Sequence, residues 1–343
     1  MTPSPRSVAV VGGGIAGLAA ARALQHAGVR ATVFDKGRSA GGRAATRRRE
    51  PYQFDHGAQF FTVRMPAFAA ALRLLQDAGV VQRWHGPFRT LARGVVGGDP
   101  RPGAERWVGA PGMSALPRAL AAGLTIAVGG RIDALRRAAA DGSWQLLSID
   151  VATNAAVAHG PFDAVVLAIP TAQAHALLRT SDVAGPVAAA AAARAEALQP
   201  CLAALVAFAE PLADGDGAWF VTDDELAWAA HDGGKPGRSG GPTYVLHGAS
   251  AWSLQRFDQD VTQNAQALVA AFARCLGRPL PPVAHLEGHR WRYALAAEGE
   301  PDRACAVDVG QRLALCGDGL VGGRVEGAWV SGVAAAEQLL AGW

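Results

Sequence analysis

Cysteine is scarce and scattered. The four residues, Cys201, Cys275, Cys305 and Cys316, form no CxxC pair. That pattern argues against a disulfide framework and against a metal site, and it fits a reducing cytoplasm. All four are expected to be ordinary buried thiols. No uninterrupted apolar run reaches the ~18 residues a transmembrane helix needs. Residues 8–23, behind Arg6, have the outline of a signal peptide, but Gly12, Gly13, Gly14 and Gly17 interrupt the run and suit another role. Charge is also sparse: 18% of residues are charged and the net charge is +3, which gives no reason to expect nucleic acid or a membrane surface as a partner. Lysine is almost missing, because Lys36 and Lys235 are the only two among 32 basic residues. What remains is a chain of 343 residues, half of them hydrophobic. That is enough for two domains, or for one large domain carrying an insertion.

The opening segment reads as a βαβ unit. Residues 7–11 form a short apolar strand, residues 15–27 have helical periodicity and stop at Gly28, and residues 30–35 form a β-branched second strand. Further helices are expected over 65–78, 114–121, 262–276 and 325–340. An alanine-rich helix over 187–198 reads as a plain surface helix. Strands are expected over 125–128, 144–149, 164–169, 202–208, 218–221, 244–247 and 313–316, with short strands inside 84–107. The stretch 232–242, rich in glycine, reads as a flexible loop.

Two glycine motifs carry the chemistry. Gly12, Gly14 and Gly17, with Ile15 and Ala16 between them, complete a GxGxxG pattern between strand and helix. Gly12 allows the tight turn, Gly14 lets a pyrophosphate approach the backbone, and Gly17 lets helix and strand pack closely. The phosphates would meet free N–H groups at the positive end of a helix. Asp35 closes the second strand, where its carboxylate can accept from adenosine ribose hydroxyls. Gly41, Gly42 and Arg43 follow, and Arg43 can bring a fixed charge to the pyrophosphate. Near the other end, Cys316-Gly317-Asp318-Gly319 leads into Gly322-Gly323-Arg324 and a helix from Val325 through Glu326 and Ala328. Asp318 can accept from a ribityl or ribose hydroxyl, and the helix start suits the edge of a ring that gains negative charge on reduction. A cofactor touched by both ends of the chain is long, which favours FAD over NAD.

The segments VAVVGGGIAGLAAARAL and FDKGRSAGGR resemble the glutathione-reductase-type flavoproteins, and within them the amine-oxidase-related branch. DKGRSAGGRAATRR, DHGAQFFT from Asp55, WVGAPGMSALPRALA, FDAVVLAIPTAQA, HRWRYA and GRVEGAWVSG are similar to bacterial renalase-like proteins. The resemblance implies an α/β fold with a discontinuous Rossmann-like FAD domain and a mixed-sheet substrate domain, as in p-hydroxybenzoate hydroxylase. It implies non-covalent FAD, with Arg43 and Gln59 near the cofactor, Lys36 at the adenosine end, and Ile132 meeting the adenine through its backbone. The activity it implies is oxidation of isomeric dihydronicotinamides, electrons passing through flavin to oxygen to give hydrogen peroxide. Two departures stand out. Gly319 occupies a place where the family often has a bulky aromatic residue. The monoamine oxidases keep a lysine near flavin N5, and neither Lys36 nor Lys235, the latter in its glycine-rich loop, is expected to serve there.

On the substrate side, His247, Trp291 and Tyr293 are the candidates for the catalytic wall, with Trp252 beside them and Phe61 and Arg64 behind. Their rings could stack on a flat substrate. Asp55 and His56 read as backbone and turn beside the flavin, without partner residues spaced for a metal. The expected domains are 1–64, 108–170 and 300–343 for FAD, and 65–107 and 171–299 for substrate. Two alternatives stay open: a flavin amine oxidase or desaturase, and a binding module whose FAD is structural.

Overall fold

The computed structural model describes residues 6–149, 155–238, 241–296 and 303–343. The chain forms two compact units: Met1–Gly42, Pro117–Leu198 and Ala296–Trp343 in the first, and Arg43–Leu116 and Gln199–Leu295 in the second. These boundaries differ from the expected domains. Residues 43–64 and 108–116 fall in the second unit, 171–198 in the first, and the expected break at 299/300 lies outside the described residues.

The first unit is built on a sheet ordered Ala306–Asp308, Leu313–Leu315, Ala164–Leu167, Ser7–Val11, Arg30–Asp35, Thr125–Val128. Its strands pair in parallel except at the Ala306–Asp308 edge. Strand side chains alternate between the two faces. Val8 and Val10 pack against the helices Ile15–His26 and Val325–Ala341 through Ala20, Leu24, Ala336 and Leu339. Ala9 and Val11 face a second core with Leu135, Trp144 and Leu146 from the three-stranded sheet of Arg131–Arg137, Trp144–Ile149 and Ala156–Phe162. Helices Thr171–Thr180 and Pro186–Ala193 add Leu177, Leu178, Val187 and Ala191 to that core, which is why they belong to this unit. The alanine-rich segment is therefore not a plain surface helix. It ends at Ala193, and Leu198 already opens a strand.

The second unit carries a sheet ordered Val283–Ala296, Leu198–Phe208, Thr243–Gly248, Leu226–His231, Ala218–Val221, Phe88–Ala92, Val95–Gly97. Helix Val261–Leu276 covers one face with Ala265, Leu268, Ala271 and Phe272. Its start is fixed by Asp260, whose carboxylate accepts from Thr262 and Gln263 N–H at 2.9 and 2.8 Å, and its end by a left-handed Gly277. On the other face Phe54, from the hairpin Arg47–Arg49 and Tyr52–Phe54, packs on Ala203, Leu205, Ala207 and Val245. That contact draws residues 43–64 into this unit. All four cysteines are buried and unpaired.

Candidate cofactor and substrate sites

In the first unit the strand Ser7–Val11 runs into the glycine turn, and each glycine answers a different steric demand. Gly12 has φ +110°, and a Cβ there would lie 2.5 Å from the Ala168 carbonyl oxygen. A Cβ at Gly17 would lie 1.9 Å from the Gly12 carbonyl oxygen, so the helix can touch the strand only through glycine. Gly14 is the opposite case: a Cβ there would meet no heavy atom of the chain within 4 Å. It is the N-cap of the first helix and no side chain caps that end, so the N–H groups from Ile15 onward, Ala16 included, lack a side-chain acceptor. An open cradle at a helix start fits a pyrophosphate. Gly42 borders it, with a would-be Cβ 3.4 Å from the Gly14 Cα.

Asp35 has a structural task beside the expected sugar contact. Its Oδ2 accepts from Gly13 N–H at 2.7 Å and its Oδ1 from Gly37 N–H at 2.6 Å. The carboxylate clamps the turn, and each oxygen keeps a lone pair for a ribose hydroxyl. Lys36, beside it, is exposed. Ile132 is buried at an irregularity in strand register. At the other motif, Gly317 has φ +143° and its N–H donates to Ser331 Oγ at 2.8 Å. Asp318 is buried at the start of a 3-10 turn, its carbonyl accepting from Gly323 N–H at 2.8 Å. Helix Val325–Ala341 then begins behind Arg324, again with no side-chain cap; Val325 and Glu326 are buried, and Ala328 packs toward the first helix's core. Two uncapped helix starts, an open glycine cradle and a buried carboxylate match the donor and acceptor pattern of FAD.

In the second unit the segment Asp55–Gln59 organises two clusters. The first is aromatic. The His56 ring stacks on Trp291 at 5.1 Å between centroids and meets the edge of His289 at 4.7 Å, and His289 meets Trp291 at 4.5 Å. The His56 carbonyl accepts from Trp291 Nε1 at 2.8 Å and lies 3.3 Å from His247 Nε2. His247 and Trp291 thus converge on His56, a residue that the sequence assigned only to backbone and turn. Tyr293 lies two residues on from Trp291 along the same strand, half-buried. Trp252 instead packs on the core under helix Val261–Leu276, and Phe61 is buried against Phe68. Arg64 is exposed, and Arg43 donates to the Ala294 carbonyl at 3.1 Å.

Burial, with the Arg47 guanidinium and its neighbour His289 adding to it, pushes His56 down to about 3. Burial also lowers His247 to about 4, and burial with Arg47 lowers His289 to about 4. All three imidazoles are therefore neutral at pH 7. An unfolded chain protonates them below about pH 6.5, so stability is fully present above that pH and falls as pH drops toward the folded values. Between about pH 6.5 and 5, before ordinary carboxylates titrate, the melting temperature should fall, and fall less in His56→Phe. Equal slopes would show that His56 titrates like an exposed imidazole.

The second cluster is ionic and was not foreseen. Lys235 Nζ donates to Asp232 Oδ1 at 2.7 Å and Gln59 Oε1 at 3.1 Å, lies 3.7 Å from Asp55 Oδ2, and sits 5.2 Å from the Trp84 ring centroid. Arg238 pairs with Asp55 and donates to the Gly109 carbonyl at 3.0 Å. Asp55, Asp232 and Lys235 have no exposed side-chain surface, and Arg238 almost none. Burial pushes the Asp232 carboxyl up, opposed by the Lys235 ammonium. The expected flexible loop is thus anchored in the interior over 232–238; residues 239–240 lie outside the described residues. Lys235 is buried because its charge is balanced there, a role unrelated to the flavin N5 position. Gln59 belongs to this network: its oxygen also lies 3.3 Å from Trp228 Nε1, and its amide nitrogen donates to the carbonyls of Asp55 and Gly57.

No helix among the described residues is long and apolar enough to cross a membrane. Residues 10–77 match the NAD(P)-binding Rossmann-like domain, and residues 100–340 match the flavin containing amine oxidoreductase family. Among solved structures the chain is similar to a candidate protoporphyrinogen oxidase from Exiguobacterium sp. 255-15, at 16% identity and TM-score 0.73, with 98% of each chain covered. It is also similar to wild-type putrescine oxidase bound to putrescine, at 14% identity and TM-score 0.69, covering 98% of this chain and 99% of that one. Those likenesses establish a shared fold. With the family match spanning more than half of the residues, the chain belongs to the flavin-containing amine oxidoreductases and is an FAD-dependent oxidoreductase.

Proposed function

We propose that this flavoenzyme is renalase-like, oxidising isomeric dihydronicotinamides with oxygen as electron acceptor and hydrogen peroxide as product. The observation that carries the reading is the cluster of His56, His247, His289 and Trp291. Three uncharged imidazoles beside an indole make a neutral cluster of ring faces and hydrogen-bonding edges, suited to an uncharged ring of similar size. Hydride transfer demands orientation more than a base, so such a cluster suffices. FAD, when bound, supplies the two-electron acceptor and passes the pair to oxygen. Gly12, Gly14 and Gly17 would hold its pyrophosphate, Asp35 and Lys36 its adenosine, Ile132 the adenine, Asp318 the ribityl chain, and the helix start at Val325 the flavin edge. The cysteine usage supports a cytoplasmic site of action.

A second reading, oxidation of a small amine, is favoured by the family description and by the buried Lys235. Against it, the carboxylates beside the histidine cluster are already held, Glu287 by Arg47 and Arg49 and Asp55 by Arg238, which leaves them poorly placed to receive an ammonium. Anaerobic mixing separates the readings. Fast bleaching of the flavin by dihydronicotinamide isomers is expected. Bleaching by amines alone would favour the second reading, and no bleaching by any donor a structural FAD. With no accessible cysteine for attachment, acid precipitation should release all yellow colour to the supernatant; colour held in the pellet would refute non-covalent binding.

A further inference from the structure

The His56 carbonyl is the point on which the aromatic wall is hung. It is an acceptor and nothing else, so the ring nitrogen of His247 that faces it at 3.3 Å must carry the hydrogen. A neutral ring protonated at Nε2 has a bare Nδ1, and no partner among the described residues hydrogen-bonds that atom. His247 is half-buried at the end of its strand, so its Nδ1 is left open as an acceptor, whereas the unpartnered Nδ1 of His56 is buried.

The carbonyl itself is held by its neighbours. Asp55 N–H donates to Asp232 Oδ2 at 3.1 Å, and Asp55 Oδ1 accepts from Thr46 Oγ1 at 2.6 Å and Met113 N–H at 2.9 Å. Its Oδ2 faces Arg238 and Lys235. On the far side of His56, Ala58 N–H donates to the Arg43 carbonyl at 2.9 Å, and Gly57 is so close to that carbonyl that a Cβ would lie 2.0 Å from it. The peptide of His56 is therefore fixed from both flanks. Buried ion pairs add little net stability compared with apolar packing of the same volume, so geometry is the better account of this one.

We propose that His247 offers Nδ1 as a hydrogen-bond acceptor to an N–H donor of the substrate, such as a carboxamide, and that Lys235, through Asp55 and Asp232, is a positioning residue for the His56 carbonyl that sets this tautomer. The proposal rests on the reading of His247 as part of the substrate wall. It makes the site selective for rings bearing a primary amide over rings bearing an acceptor-only group.

The test uses holoenzyme labelled with 15N. Long-range imidazole spectra at pH 7 should show His247 protonated at Nε2 and bare at Nδ1. Protonation at Nδ1 would overturn the proposal whatever the activity. Kinetics then compare N-methyl-1,6-dihydronicotinamide with the same ring carrying acetyl in place of carboxamide. Wild type should favour the carboxamide in KM by about tenfold, the cost of one neutral hydrogen bond, and His247→Phe should erase the preference. Lys235→Met should mix the His247 tautomers and raise KM for the carboxamide alone, with kcat nearly unchanged. Equal losses for both rings, or an unmixed tautomer, would overturn the positioning role. If neither ring reduces wild-type flavin, the proposed function fails, while the tautomer spectra of wild type and Lys235→Met still decide the positioning claim. Should Lys235→Met not fold, Asp232→Asn carries the same readouts.

Discussion

Gly14→Val should yield a folded, colourless protein. The position has no neighbour within 4 Å of a would-be Cβ and an ordinary negative φ of −76°, so valine costs the chain little by itself. The same methyl groups would fill the space a pyrophosphate must enter. FAD content should drop by at least two orders of magnitude in affinity, since the loss includes several charge-assisted hydrogen bonds of roughly 1.5–3 kcal/mol each. Gly17→Val is the control with the opposite signature. Its side chain would run into the Gly12 carbonyl, so the soluble fold itself should be lost. A Gly14→Val protein that keeps FAD at wild-type affinity would mean that the phosphate turn lies elsewhere.

Asp55→Ala should be the most destabilising single change in the second unit. It removes the carboxylate partner of Arg238, leaves Lys235 with Asp232 and Gln59, and strips acceptors from Thr46 and Met113. Breaking a buried pair from one side costs about 3–5 kcal/mol, because the surviving charge stays out of water. For a unit of this size that amounts to a melting temperature lower by about 10 °C. The double change Asp55→Ala with Arg238→Met removes a charge of each sign and should cost clearly less than the sum of the two single changes. Strict additivity in thermal melts would show that the two side chains do not share one network.

The first unit was legible because its demands are local. A turn that needs φ +110° at Gly12 and contact at Gly17 writes its requirements into consecutive letters, and the flanking strand and helix differ in period. Asp318 and the helix after it were legible for the same reason. The second unit was not, because its key partners lie far apart in sequence. Asp55 meets Lys235 and Arg238 across about 180 residues, and nothing near Asp55 hints at them. One signal was present and misread: in a chain with two lysines, one stood in Asp232-x-x-Lys235-x-x-Arg238, an acid followed by two bases at a spacing of three. Glycines around it suggested mobility, although Gly233 allows close approach to the Gly241 backbone, where a Cβ would come within 2.0 Å of a carbonyl. The fourteen-residue strand Val283–Ala296 escaped notice because it is an edge strand with charged residues along it, without the apolar alternation of a half-buried strand. His289 and Trp291 were visible as letters, but their neighbour His56 was reachable only through the fold.

The strand order of the first unit has a consequence for how the protein is made. Ser7–Val11 and Arg30–Asp35 leave the ribosome well before Ala164–Leu167, and Leu313–Leu315 follows later still. The glycine cradle is therefore translated long before Asp318 and helix Val325–Ala341, the proposed flavin end of the site. Residues 43–116 and 199–295 have both emerged by then and belong to the other unit, whose seven-stranded sheet needs nothing later than Ala296. The nascent chain can thus finish its second unit while its first still waits for its last strands. On the proposed placement of FAD, tight capture waits for that later helix, so a cell short of flavin would accumulate chains whose unfinished unit is the one begun earlier.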